Sequence, residues 1–104
     1  MRFMMKAVMD TDTFNELARQ GEASAMLESI LAEQKPEAVY FVAEYGQRTA
    51  ILFVNFDDPS DLARMAEPWF VGFNASVEIQ PAMTAEDLAK AGGHISGAAE
   101  QFSG

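Results

Sequence analysis

Ala38-Val39-Tyr40-Phe41-Val42-Ala43-Glu44 and Thr49-Ala50-Ile51-Leu52-Phe53-Val54-Asn55-Phe56 decide the fold. Both runs are rich in β-branched and aromatic residues, which suit a pleated, packed surface. Tyr45-Gly46-Gln47-Arg48 between them contains a glycine and has hairpin length, so the two strands are predicted to pair. Alternation then assigns side chains to faces. In the later strand Ile51 and Phe53 oppose Ala50, Leu52, Val54 and Phe56; in the earlier one Tyr40 and Val42 oppose Val39, Phe41 and Ala43. Both faces are apolar.

Outward from the hairpin, residues 2–9 alternate as a strand, with Phe3, Met5, Ala7 and Met9 on one face and Arg2, Met4, Lys6 and Val8 on the other. Asp10 to Thr13, with Glu16 three residues after Thr13, has the form of a helix start. Phe14, Leu17 and Ala18, then Met26, Leu27, Ile30 and Leu31, recur at helical spacing, interrupted at Gly21. One broken helix or two successive ones are predicted between about residues 12 and 34, ended by Lys35-Pro36. After the hairpin, Asp57-Asp58-Pro59-Ser60 stops the strand and caps a helix carrying Leu62, Met65, Ala66, Trp69, Phe70 and Phe73. Pro68 lies within that stripe, so a restart or kink is expected. A last strand, Ala75 to Gln80, ends at Pro81, and Thr84-Ala85-Glu86-Asp87 opens a short helix. The domain is therefore expected over residues 1–91, with 92–104 as a glycine-containing tail that loses definition at Gly92-Gly93 and is flexible.

The order β-α-β-β-α-β, with right-handed crossovers, predicts an α+β, ferredoxin-like unit: a four-stranded antiparallel sheet with helices on one face. Helices cover one face only. The other face, as apolar as the first in the central strands, is too large a patch for a soluble monomer, and a second copy is the economical cover. A homodimer is expected. The alternative is that the tail helix folds back over that face.

Composition narrows the function. The chain has 104 residues, 49% hydrophobic and 22% charged, enough for one core and too apolar for disorder. A formal net charge of -9 repels phosphate backbones and anionic lipids, so neither nucleic acid nor membrane is an expected partner. Cysteine is absent, which excludes disulfides, thiolate ligands and a cysteine nucleophile. No apolar run approaches the ~20 residues of a membrane span, and the opening Met1 to Lys6 is too short for a signal peptide; a cytoplasmic protein is expected.

Candidate site residues are few. Lys6 and Arg2 share a face of the first strand, expected to be central in the sheet, and Glu78 and Glu44 on neighbouring strands are possible partners. In a barrel interior such a set could move a proton, which makes Lys6, Glu78 and Glu44 the catalytic candidates. Arg2, Tyr40, Arg48, Trp69 and Phe70 are candidates for ligand binding, with Arg48 suited to an anionic group. The 7 methionines give an adaptable lining for an apolar or aromatic guest. His94, the only histidine, lies in the tail between glycines and is expected to have no role. Without a second histidine at ligand spacing no metal site is expected, and Gly92-Gly93 lacks the setting of a phosphate loop; no cofactor is expected.

Strand order, small size and two-faced strands resemble the dimeric α+β barrel superfamily. Glu67-Pro68-Trp69-Phe70 followed by Val77-Glu78-Ile79-Gln80-Pro81 is similar to the end of muconolactone isomerase-type domains. Lys35-Pro36-Glu37-Ala38 with Tyr40-Phe41, Gly46 with Arg48, Asp58-Pro59-Ser60, and Ala66 to Phe70 resemble short uncharacterised bacterial proteins over nearly the whole chain. The resemblance implies the fold and a dimer. It carries no catalytic residue across, and haem chemistry, also found in that superfamily, is disfavoured by the absence of an asparagine in the first strand. Two functions are expected to compete: binding or isomerising a small apolar or aromatic acid by cofactor-free proton transfer, and a non-catalytic interaction or regulatory module that assembles with a larger partner.

Overall fold

A computed structural model describes residues 1–104. The elements run β1 (Arg2–Val8), α1 (Thr11–Arg19), α2 (Ala23–Gln34), β2 (Ala38–Glu44), β3 (Gln47–Asn55), α3 (Asp61–Phe73), β4 (Ser76–Pro81), α4 (Ala85–Lys90) and α5 (Gly92–Phe102). The four strands form one antiparallel sheet in the order β2-β3-β1-β4. This is the expected ferredoxin-like α+β architecture, with the first helical crossover divided in two and a helical arm added after β4.

Register follows the hydrophobic pattern. Met5 faces Leu52 on one side and Ile79 on the other, and Ala7 faces Ala50 and Val77. These residues, with Met9, Val54 and Phe56, form the sheet's contribution to a core completed by Ile30 of α2 and Met65, Trp69 and Phe73 of α3. Phe14 and Leu17 of α1 pack on its margin. Helices α1, α2 and α3 thus share one side of the sheet. Gly72 marks their closest approach: a Cβ there would stand 3.1 Å from the sulfur of Met26 on α2.

Local chemistry explains most boundaries. Asp10 caps α1, its carboxylate accepting from the backbone N–H of Thr13 at 3.0 Å. That bond, followed by the one from the Thr13 hydroxyl, holds the Asp10 carboxyl below its ordinary pKa. Left-handed Lys35 and Asn74 close α2 and α3. Thr84 and Asp87 form a reciprocal capping box at the expected start of α4.

Three details depart from the sequence reading. Helix α3 does not restart at Pro68; it is one helix from Asp61 to Phe73. The proline removes only the bond that the carbonyl of Arg64 would accept, and Arg64 lies on the exposed side, where solvent can replace that bond. The segment after Ala91 is helical as α5, although it contains Gly92, Gly93 and Gly97. The hairpin is also tighter than its four-residue reading. Gln47 and Arg48 join β3, leaving Tyr45 and Gly46 as a two-residue loop.

Tyr45 (φ 49°) and Gly46 (φ 78°) both lie in the left-handed region, as a type I′ turn demands. Glycine adopts it freely and tyrosine does not, and Tyr45 is 99% exposed, so no packing compensates. Tyr45→Asn is therefore expected to raise stability by about 0.5–1 kcal/mol, because asparagine tolerates this conformation. A urea titration that shows a lower midpoint for the variant would rule this account out.

Candidate functional site

The sheet presents two separate polar–apolar settings. On its open side lie Met4, Val8, Ile51 and Phe53, all half-buried, and Tyr40 and Val42, both exposed. No helix of the chain covers them. At the centre Lys6 stands opposite Glu78 across the β1–β4 pair, and its ammonium donates to Glu44 at 2.9 Å and lies 3.7 Å from Glu78. Lys6, Glu44 and Glu78, separated widely in sequence, are thus brought together as expected. The hydrogen bond to Glu44 is the main reason that the pKa of Lys6 lies above its ordinary value, against a smaller opposing effect of desolvation. An ammonium held in this way is a poor base. Arg2 pairs instead with Glu37, donating through Nε and, at 3.1 Å, through Nη2. That hydrogen bond raises the pKa of Arg2 and lowers that of Glu37.

The second setting is a cavity of about 370 Å³ on the helix side, at the turn end of the hairpin. It exists because α1 and α2 stop short of the edge strand β2. Phe41 shares the face of Ala50, yet it is 53% exposed. Met9 of the core, Phe14 of α1 and Leu27 of α2 form one wall; Phe41 and Ala43 form the other, with the strand at Val42 between them. Arg48 and Thr49 are its only polar lining residues. The guanidinium carbon of Arg48 lies 4.2 Å from the centroid of the Phe14 ring, and Nη1 donates to the side-chain oxygen of Asn15 at 2.9 Å. Asn15 is neutral. Arg2, Lys6, Arg19 and Arg64 each have a carboxylate within ion-pair distance, and Arg48 has none. In a chain with 16 acidic and 7 basic residues, Arg48 is thus an arginine without a carboxylate partner at the mouth of an apolar cavity.

Of the five binding candidates, only Arg48 lines this cavity. Tyr40 and Arg2 lie on the open face. Trp69 is wholly buried in the core, its indole N–H donating to Gln34 at 3.1 Å, and Phe70 lies on the outer side of α3. His94 lies on exposed α5. No cluster of three or more histidine or acidic side chains is placed to hold a metal ion. The sequence reading missed Phe14, Leu27 and Asn15 as site residues. Their signal, helical spacing near Arg48's strand, becomes visible only once α1 is packed against the hairpin.

Residues 1–95 match a family described as a domain of unknown function, DUF3303. No curated protein matches the sequence. Among solved structures, the chain is similar to 5-chloro-2-hydroxyhydroquinone dehydrochlorinase (TftG) from Burkholderia phenoliruptrix AC1100 in complex with 2,5-dihydroxybenzoquinone. That likeness has a TM-score of 0.57 and 11% identity, and covers 83% of this chain and 97% of the other. A de novo designed protein, Ferredog-Diesel, is similar with a TM-score of 0.45 and 6% identity over 78% of this chain and 85% of the other. The likeness to TftG concerns the fold. No helix is long and apolar enough to cross a membrane.

Proposed function

The chain belongs to the DUF3303 family, and on that premise we propose that it binds a small ring-bearing acid in the cavity between the hairpin and α1–α2. The observation that carries this reading is Arg48, a cation without an acidic partner at the mouth of an otherwise apolar cavity of about 370 Å³. A volume at the low end of the range of ligand sites selects a small guest. Phe14 and Phe41 offer ring faces and edges to an aromatic body, and the guanidinium offers a planar fork to its carboxylate. A one-ring guest is in keeping with the quinone named in the TftG complex. It is also in keeping with the resemblance of Glu67 to Phe70 and Val77 to Pro81 to muconolactone isomerase-type domains.

The reading is of binding. Arg48 and Thr49 are the cavity's polar residues, and neither is a proton-transfer base of the kind expected for isomerisation. The Lys6, Glu44 and Glu78 set lies on the other side of the sheet, and there we read a second copy as covering the open face. This arrangement also ranks above the non-catalytic interaction module, which offers no reason for an apolar cavity beside an arginine.

Nuclear magnetic resonance titration with benzoate, benzamide and cyclohexane carboxylate tests the proposal. Benzoate is expected to shift side-chain resonances of Phe14, Leu27 and Phe41 and to raise the melting temperature. Benzamide, without the charge, is expected to bind at least about tenfold more weakly, a loss of one charge-assisted hydrogen bond. Absence of any shift with either acid, or equal binding of acid and amide, would sink it.

A further inference from the structure

The molecule measures 60 × 28 × 21 Å and has a radius of gyration of 17.5 Å. A compact domain of this length would have about 13 Å. The excess belongs to α4 and α5, because no residue of either helix is buried, whereas α1–α3 and the sheet share one core. Within this arm Ile95, Ala98, Ala99 and Phe102 of α5 recur at the spacing of one helical face. Ile95 is 58% exposed and Phe102 77%. An 11-residue helix containing three glycines does not hold itself in water, so its stability requires a surface to lie on.

The surface with the matching deficit is strand β2. Tyr40, Phe41 and Val42 are all exposed, although successive side chains point to opposite faces, so this edge is uncovered from both sides. It is the sheet edge remote from β4, where the arm begins. The arm does not cover it within its own chain. We propose that the C-terminal arm of one subunit lays the Ile95–Phe102 stripe of α5 along β2 of a second copy, beside the open-face contact, and thereby forms one wall over the partner's Arg48 cavity.

Size supports the choice of occupant. The four strands expose roughly fifteen positions on the open face, one residue in two, whereas a stable interface engages about 20–30 residues a side. The arm supplies the difference. The 11 residues of α5, at about 1.5 Å per residue, are roughly 17 Å long, within the roughly 23 Å that the seven residues of β2 span. A reciprocal exchange of arms closes as a two-fold dimer and leaves no free end to propagate.

The inference rests on the reading that a second copy covers the open face, and the test separates the two. Analytical ultracentrifugation at micromolar concentration compares the full chain with the full-length Ile95→Glu, Phe102→Glu variant, whose far-ultraviolet circular dichroism reports whether the core remains folded. Neither replaced residue is buried. The native chain is expected to be a dimer, and the variant to dissociate at least about tenfold more readily. A monomeric native chain overturns both the dimer and the arm; a variant as dimeric as the native chain overturns the arm alone. Because the chain has no cysteine, Ser103→Cys, beside the stripe and exposed, takes a single nitroxide label. Mixed with isotope-labelled native chain, it is expected to broaden the Tyr40 to Val42 amides of the other subunit. Absence of broadening at those amides of the isotope-labelled chain, or an open-ended assembly, overturns the proposal.

Discussion

Replacing Trp69 by alanine is expected to cost about 3–5 kcal/mol of folding stability, the largest loss for any single side chain here. Trp69 is wholly buried, and with Phe73, whose ring centroid lies 5.9 Å away, it fills the space between α3 and the sheet. Against a total of about 5–15 kcal/mol for a domain of this kind, such a loss leaves the native state marginal. Volume is only part of the effect. The indole N–H donates to the side-chain oxygen of buried Gln34, whose amide nitrogen donates in turn to the backbone carbonyl of Met65 at 2.8 Å. This chain of bonds joins α2 to α3 across a distance of 35 residues in sequence. Trp69→Phe keeps most of the packing but strands the Gln34 oxygen without a donor. It is therefore expected to cost about 1–3 kcal/mol, the penalty of an unsatisfied buried group. Adding Gln34→Leu removes the stranded acceptor but also leaves the Met65 carbonyl without that donor, so the double variant is expected to be less damaged than the sum of the singles. Urea denaturation of the four proteins in this cycle measures the coupling. Strict additivity would mean that the Trp69–Gln34 bond contributes nothing beyond packing.

That network shows where sequence reading stops. The two-faced hairpin, the register-setting alternation of β1 and the cap of α4 are local patterns, and each is legible because neighbours in sequence decide it. Gln34 is different. It lies at the end of an amphipathic helix, where a polar residue reads as solvent-exposed, and only the approach of α3 turns it into a buried partner. The same holds for the site. Arg48 could be named as a candidate for an anionic group from its type and its place beside the turn, but the wall opposite comes from α1 and α2. Their failure to reach β2 is a matter of helix placement that no periodicity encodes. Trp69 and Phe70 illustrate the converse: adjacent aromatics of equal promise, one sent to the core and the other to the surface by the 100° step of the helix. Lys6, Glu44 and Glu78 were legible as a set because strand order and alternation together suffice to place them.

Arg48→Met is expected to lower affinity for a small aromatic carboxylate by about 10- to 150-fold, the equivalent of one hydrogen bond to a charged group. Methionine retains an unbranched apolar stem, so contact with Phe14 persists while the charge is lost, and binding of the neutral amide is expected to stay nearly unchanged. That split separates the proposal from a purely structural role. If the acid and the amide weaken together, Arg48 serves as a wall; if neither weakens, the cavity is not the site. Arg48→Lys restores the charge but not the planar fork and is expected to fall between the native protein and methionine. Asn15→Asp provides the converse test. Its side-chain oxygen already accepts from Nη1 at 2.9 Å, and a carboxylate there would give Arg48 the internal partner that it lacks. Folding stability should hold or rise, while affinity for the external acid should fall as far as in Arg48→Met, because the guanidinium would then be neutralised before any ligand arrives. A site that bound benzoate equally well with aspartate at position 15 would show that the absence of an acid beside Arg48 has no bearing on recognition.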